Sequence, residues 1–287
     1  MSLFRIHKQA RQSLLPKVIP RSVFLIPRGF LLCTFLSVAA QSQTQSLVAS
    51  LGKSHPYPQN PAIAMGTVLP VRLNETLSVR KTKPGQQISA RIMQDVPLPN
   101  GGKIGEGSRV LGKVVSVEPA AHGEGGEVSF RFDKVVTRKG EFPVVTSLRA
   151  IAGFMEVREA ETPEGSTDFG TPYVWADRRQ IGGDEVYGVG GPVTNRWNER
   201  VGTAVNDGVL VHARARPESG CRGALDEEDR LQALWVFAAD ACGVYGIEGL
   251  QITHAGRSEP EGEVQLTASK SDVVVHSATA MLLRVLR

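Results

Sequence analysis

The sequence is poor in cysteine and in aromatic residues: three Cys occur among 287 residues, and Phe, Trp and Tyr together make up 6%. The cysteines form no Cys-x-x-Cys pair and the histidines show no paired spacing, so we expect no metal site. Beyond residue 40 the chain lacks a long apolar run, so we expect no transmembrane helix in the mature protein. A phosphate-binding loop is incomplete, because Gly107–Lys113 has the glycine and lysine spacing but Val114 replaces the magnesium-binding Ser or Thr. We therefore expect no cofactor.

Acidic side chains are missing from the first 40 residues, which contain six Lys and Arg. Residues 29–40 (GFLLCTFLSVAA) are apolar and end in the small residues Val38, Ala39 and Ala40. Basic, apolar and small-residue segments in this order are typical of a secretory signal peptide, and the apolar part is short for a membrane span. The sequence predicts export to the periplasm or the extracellular side of a bacterial envelope. An uncleaved N-terminal anchor is the alternative.

The formal net charge of +4 comes from this N-terminal segment. The chain has 33 Lys and Arg and 29 Asp and Glu, so without the six basic residues of the segment the acidic side chains are in slight excess. A nearly neutral mature protein is not expected to bind nucleic acid through its overall charge.

Short alternating segments separated by Gly and Pro predict a mainly β protein. Val128, Phe130 and Phe132 alternate with polar residues, and a second alternating run follows a turn at residues 138–140, which predicts a hairpin over a core. Pro70 lies inside the first predicted strand, so we place that strand at a sheet edge. We expect two β-rich halves, each a barrel or sandwich of short antiparallel strands. The predicted segments are a signal peptide at 1–40, a Pro-containing linker at 41–64, a β domain at 65–155, a linker at 156–168 and a C-terminal β-rich domain at 169–287.

Residues 66–148 carry glycines, prolines and strand residues in a distinctive order: Gly66-Thr67-x-x-Pro70, Pro84-Gly85, Ala90, Asp95-Val96, Ile104, Gly107-Ser108, Gly112, an Arg131-bearing strand and a Gly140 turn. This order resembles the C-terminal β-barrel of the TrbI-like family, which builds the outer-membrane core complex of conjugation and type IV secretion machines. The resemblance implies a structural or assembling role, with envelope proteins or further copies of the chain as partners. It brings no catalytic residues to this sequence.

Two cysteines, Cys221 and Cys242, would be left after export. In an oxidising compartment they are expected to form a disulfide, and closing a loop of this size would contribute about 3 kcal/mol to stability. The alternative is a secreted hydrolase in which Cys242 is a free nucleophile, His254 is its base and Asp240 assists.

Asp240 follows the most apolar run of the mature chain, Leu231–Ala239. A charge at the end of a buried run needs a partner, and His254 or Arg257 could supply it, so these three are the predicted binding residues. A carbohydrate-binding module is a further alternative, since that function needs exposed aromatic side chains on one face. The candidates for that face are Tyr173, Trp175, Tyr187 and Trp197. With no other catalytic arrangement in the pattern, the sequence favours binding or scaffolding over catalysis.

Overall fold

A computed structural model of the chain describes residues 63–121, 124–163, 177–216, 218, 220–221 and 229–287. The predicted signal peptide and nearly all of the linker at 41–64 lie outside these residues, as do two of the candidate aromatics, Tyr173 and Trp175. Among the described residues, no helix combines the length and the apolar character needed to span a membrane.

Twenty strands and one helix form within the described residues. The first nine strands are β1 Val68–Leu73, β2 Leu77–Ser78, β3 Gln87–Ile92, β4 Val96–Pro97, β5 Lys103–Ile104, β6 Arg109–Glu118, β7 Glu127–Thr137, β8 Gly140–Pro143 and β9 Thr146–Ala152. The helix α1 spans Phe154–Glu161. The remaining strands are β10 Asp177–Arg179, β11 Glu185–Tyr187, β12 Pro192–Thr194, β13 Arg200–Val205, β14 Gly208–His212, β15 Leu231–Ala233, β16 Gly243–Tyr245, β17 Leu250–His254, β18 Val264–Ala268, β19 Val274–Val275 and β20 Ala280–Val285.

The largest sheet has ten strands in the order β16-β9-β20-β1-β3-β6-β7-β18-β17, and β8 pairs with β7 beside this path. β16 runs parallel to β9, and the other neighbours along this path are antiparallel. The sheet curves until its two end strands, β16 and β17, lie beside each other. The result is a nearly closed, barrel-like sheet, which confirms the prediction of a mainly β fold.

The predicted hairpin is formed by β7 and β8, which pair on either side of the turn at residues 138–139. Phe130 and Phe132 are buried inside the barrel and pack edge to face, with ring centroids 5.7 Å apart. β8 ends at Pro143, and the rest of the second alternating run belongs to β9, which pairs with β20 instead. The alternation thus identified β7 and the turn after it, but it did not show that the second run divides into two strands with different neighbours.

β1, β9 and β20 are buried at almost every position, because a second sheet covers their outer face. This second sheet contains β10 to β15 in sequence order, all antiparallel. Its buried residues, among them Val193 and Val211, share one apolar cluster with Val68, Ala150 and Leu282 of the barrel. Strands covered on both sides have continuous apolar sequences rather than alternating ones.

The expectation that β1 lies at a sheet edge is wrong, because β1 lies between β20 and β3. Pro70 is tolerated there because the pairing of β1 with β3 begins only at Val71. The Pro70 carbonyl accepts a hydrogen bond from Met93, just beyond the end of β3, so the missing proline N–H falls outside the β1–β3 ladder.

The large sheet includes strands from both predicted halves of the chain. β16, β17, β18 and β20 all follow residue 240, yet they join strands that end before residue 153. Residues 56–287 accordingly form one compact unit. The predicted linker at 156–168 begins inside α1, whose Val157 and Ala160 are buried, while residues 164–168 lie outside the described part. Two buried positions in eight residues are too few to reveal a helix by periodicity.

Two buried glutamines connect the second sheet to the barrel. The Gln94 side chain donates to the Val209 carbonyl (2.8 Å) and accepts from the backbone N–H of Trp235 (2.7 Å). The Gln232 side chain accepts from the backbone N–H of Val68 (3.1 Å). Buried amides with satisfied hydrogen bonds fix the relative position of the elements that they join.

Candidate functional site

The candidate site is a groove at the place where the barrel fails to close. β16 and β17 are the two ends of the ten-stranded sheet and are not paired with each other within that described sheet. A groove of about 630 Å³ lies along them, and we call it the seam groove. Its described lining is Leu148, Arg149, Arg216, Gly220, Cys221, Cys242, Gly243, Val244, Tyr245, Leu250, Gln251, Ile252, Thr253, Ala255 and Arg257.

The groove is closed at one end by the barrel itself. The Leu148 N–H donates to the Ala255 carbonyl (2.9 Å), so the chain directly after β17 is tied to β9. Further along, β9 pairs with β16 instead of β17. The seam is therefore a slot between two strand edges with β9 at its base.

Backbone polar groups of both edge strands point toward the seam. The Tyr245 carbonyl accepts from Gly153, on the β9 side of β16, so the alternation along a strand directs the backbone groups of Val244 to the opposite side. On β17 the carbonyl of the preceding Gly249 accepts from Ser269 on the β18 side, which directs the backbone groups of Ile252 toward the seam. A strand edge of this kind is able to hydrogen-bond to a further extended chain.

The disulfide predicted between Cys221 and Cys242 is present, with Cα atoms 6.1 Å apart, and both residues are buried. It holds residues 220–221 against the start of β16, at the wall of the seam groove. While this disulfide is formed, Cys242 cannot act as a thiolate nucleophile. The hydrolase alternative therefore requires the reduced protein.

Arg149 of β9 lies at the base of the groove with 1% of its surface exposed. Its guanidinium donates to the backbone carbonyls of Ala241 (2.9 Å), Arg214 (2.5 Å) and Ala239 (3.4 Å). These bonds tie the segment before Cys242 to the barrel wall, and they satisfy a cation that would be costly to bury without partners. Arg149 is not among the residues predicted from the sequence, although an arginine within β9, Thr146–Ala152, is a visible signal.

Arg216 and Tyr245 form the outer part of the groove. The Arg216 guanidinium donates to the Tyr245 hydroxyl (3.3 Å), and this hydroxyl also accepts from the Cys242 backbone N–H (3.0 Å). Arg216 additionally lies 3.4 Å from the Glu218 carboxylate, which is two-thirds exposed. With Arg149 and Arg257, three guanidinium groups line the seam groove, and its described lining residues include no carboxylate. This composition favours anionic groups.

The three predicted binding residues are held by different partners. Arg257 lines the seam groove. The His254 ring nitrogens contact the Glu263 carbonyl (2.7 Å) and the Ser258 hydroxyl (3.2 Å). The Asp240 carboxylate lies 3.5 Å from the guanidinium of Arg196, in the loop between β12 and β13. The predicted partnership of Asp240 with His254 or Arg257 is replaced by one with the second sheet, because residue 240 follows a segment that this sheet covers.

Asp184 is a buried carboxyl group near the partly exposed Asp240, and no pattern in the sequence points to it. Its Oδ2 accepts from the Ala239 N–H (2.7 Å). Burial is the main reason why the pKa of Asp184 is raised to about 6, and the negative charge of Asp240 also raises it. The hydrogen bond from Ala239 and the nearby guanidinium of Arg214 act in the opposite direction and lower this pKa. The carboxyl group therefore takes up a proton at mildly acidic pH, while its hydrogen bond positions the segment before the disulfide.

The two described aromatic candidates lie on the second sheet. Trp197 is 62% exposed, and the Arg196 guanidinium stacks on its ring, 4.4 Å from the centroid. Tyr187 of β11 is 36% exposed and donates its hydroxyl hydrogen to Glu185 (2.8 Å). Both present aromatic surface to solvent, as the carbohydrate-binding alternative requires.

Comparisons with known proteins add no relative to this description. No protein-family model matches the chain, and no curated protein matches its sequence. The resemblance of residues 66–148 to the TrbI-like family stays a prediction that rests on the residues themselves.

Proposed function

We propose that this chain is an exported structural or binding protein of the bacterial cell envelope, acting as a scaffold of the kind that the TrbI-like family provides in conjugation and secretion machines. The observation that carries the proposal is the seam groove, a slot lined by arginines between two strand edges of the nearly closed barrel that do not pair with each other among the described residues. A slot of this kind is suited to hold another polypeptide. Its partners are envelope proteins or further copies of this chain.

The disulfide supports the envelope location, because such bonds persist in oxidising compartments and are rare in the cytosol. The lining of the groove supports binding over catalysis. Its described residues offer tyrosine, threonine and arginine side chains but no histidine or carboxylate that would act as a general base near neutral pH.

Cell fractionation tests this proposal. The full chain with a C-terminal tag would be expressed in a bacterial host, and the periplasmic, membrane and cytoplasmic fractions would be compared. We expect the protein in the periplasm or envelope without its first 40 or so residues, and with Cys221 and Cys242 protected from a thiol reagent until a reductant is added. Cross-linking in envelope extracts should then capture envelope proteins or a second copy. A cytoplasmic protein with two reactive thiols would refute the proposal.

A carbohydrate-binding module is the second candidate, and the exposed Trp197 with its stacked Arg196 is the observation that favours it. Retardation in native gels that contain envelope polysaccharides, lost in Trp197→Ala and kept in Tyr245→Phe, would support that function. Equal mobility with and without polysaccharide would exclude it for the polymers used. The hydrolase alternative requires reduced Cys242, so the thiol-labelling arm of the fractionation experiment tests it as well.

A further inference from the structure

We infer that the seam groove binds an extended, acidic peptide segment, which adds to the edge of β17 that no strand among the described residues covers and pairs its carboxylates with Arg216 and Arg257 in the groove wall. The inference rests on the proposed binding function and specifies the chemistry of the partner. Two independent features carry it: the direction of the backbone groups and the charge of the lining.

The backbone feature is the edge of β17. This strand bonds β18 on one side, and its other side faces the groove with the backbone N–H and C=O of Ile252. An extended peptide satisfies such groups by strand addition, in which main-chain hydrogen bonds supply affinity and alternate side chains supply specificity. Leu250 to Thr253 contribute a continuous stretch of lining, so the groove follows the strand rather than crossing it.

The charge feature distinguishes this peptide from others. Arg216 and Arg257 lie in the groove wall, and Arg149 adds a buried positive charge at its base. A peptide carboxylate at Arg216 would compete with the exposed carboxylate of Glu218, 3.4 Å away. Every second side chain of an added strand points to the same face, so acidic residues at alternate positions would meet this wall together. Guanidinium–carboxylate pairs are stronger than neutral hydrogen bonds and favour two parallel contacts.

The peptide experiment uses the mature protein purified from the periplasm with its disulfide intact. The probe is a fluorescein-labelled octapeptide that alternates Asp and Val, and binding is followed by fluorescence anisotropy. A peptide with Lys in place of Asp is the charge control. We expect the acidic peptide to bind and the basic one not to bind, with an affinity that falls as salt is raised.

Protein variants locate the binding. Arg216→Gln and Arg257→Gln should each weaken binding of the acidic peptide about tenfold or more, as expected for the loss of a charged hydrogen-bond donor. Arg138→Gln, in the exposed turn between β7 and β8, is the matched control and should leave the affinity unchanged. Circular dichroism and thermal unfolding would show that the variants keep their fold.

Peptide backbone variants test strand addition without altering the protein. One peptide is N-methylated at the Asp residues and the other at the Val residues. Successive N–H groups of a strand point in opposite directions, so one of the two peptides should lose binding and the other should keep it. Equal binding of both would refute strand addition, and an acidic peptide insensitive to Arg216→Gln and Arg257→Gln would refute the groove as its site.

The failure of this inference is distinct from the failure of the proposed function. If the protein is exported and captures envelope partners but the acidic peptide does not bind at millimolar concentration, the inference is wrong while the scaffold function stands. If fractionation places the protein in the cytoplasm with reduced cysteines, the proposed function fails whatever the peptide does.

Discussion

Replacement of Gln94 by leucine should remove the hydrogen bonds through which this residue joins the second sheet to the barrel, and should lower the free energy of unfolding. Gln94 is 1% exposed, and its side-chain oxygen accepts from the N–H groups of Trp235 (2.7 Å) and Val209 (3.3 Å), while its amide donates to the Val209 carbonyl (2.8 Å). Leucine fills a similar volume but offers no polar atom. The Trp235 N–H would lose its side-chain acceptor in a place that water does not reach.

The structure gives the size of the effect. A buried donor left without an acceptor costs about 1–3 kcal/mol, and each of the two further hydrogen bonds lost costs about 1 kcal/mol, so Gln94→Leu should destabilise the protein by about 3–5 kcal/mol. The backbone of Trp235 increases the expected destabilisation, because it holds a φ of 52°. A bulky residue adopts this left-handed conformation only when its surroundings enforce it. The loss is a large part of the stability of an ordinary domain.

Urea unfolding of the oxidised protein, followed by tryptophan fluorescence, measures this difference. Gln86→Leu is the control, because Gln86 is exposed and its side chain accepts one bond from Lys83 (3.2 Å), so the change should stay within about 0.5 kcal/mol. Equal unfolding midpoints and slopes for the two variants would show that the buried amide does not join the sheets, and the reasoning would be wrong.

Three further changes have defined outcomes. Replacing both Cys221 and Cys242 by serine should cost about 3 kcal/mol, given a sequence separation of 21 between the bridged positions, and an unfolding curve that matches the oxidised wild type would contradict it. Arg149→Met should cost about 2–4 kcal/mol in the same assay, because three carbonyls lose a buried donor; a neutral effect would mean that other groups satisfy them. Burial raises the pKa of Asp184 from 3.8 to about 6, so its contribution to stability is complete below pH 4 and is lost as pH rises through 6. Relative to the wild type, the free energy of unfolding of Asp184→Asn should therefore rise by about 2–3 kcal/mol between pH 4 and pH 7, as measured by urea titrations at each pH. Parallel pH profiles for the two proteins would refute the raised pKa of Asp184.

Much of the barrel follows from local pattern. Phe130 and Phe132 alternate with polar neighbours because one face of β7 meets the core and the other meets solvent, and this alternation can be read in one strand at a time. β1, β9 and β20 carry no such signal, since they are buried on both faces. Their place in the sheet depends on a second sheet whose strands lie between residues 177 and 233, at least 25 positions away in the sequence, and this is why Pro70 was assigned to an edge.

The candidate site was predictable only in part. The disulfide follows from counting, because the predicted export would leave two cysteines. Arg257 was chosen as a possible partner of Asp240, and it lines the groove. The partner of Asp240 could not be chosen correctly, because Arg196 reaches it from a loop of the second sheet. The groove itself arises because β16 and β17 do not pair with each other among the described residues. The periodicity within either strand does not show whether a neighbouring strand will pair with it.

The open seam depends on contacts outside the strands that border it. A connection of four residues, 246–249, joins β16 to β17, and a loop of that length often closes a hairpin. β16 instead runs parallel to β9, where the disulfide and the bonds of Arg149 hold the segment before it against the barrel wall. Stability and peptide affinity are therefore expected to fall together in Arg149→Met and in the serine variants. Gln94→Leu should lower stability while it leaves peptide affinity unchanged under native conditions, because its contacts lie outside the described groove lining. If all of these variants lose affinity in proportion to stability, the seam is not the binding site.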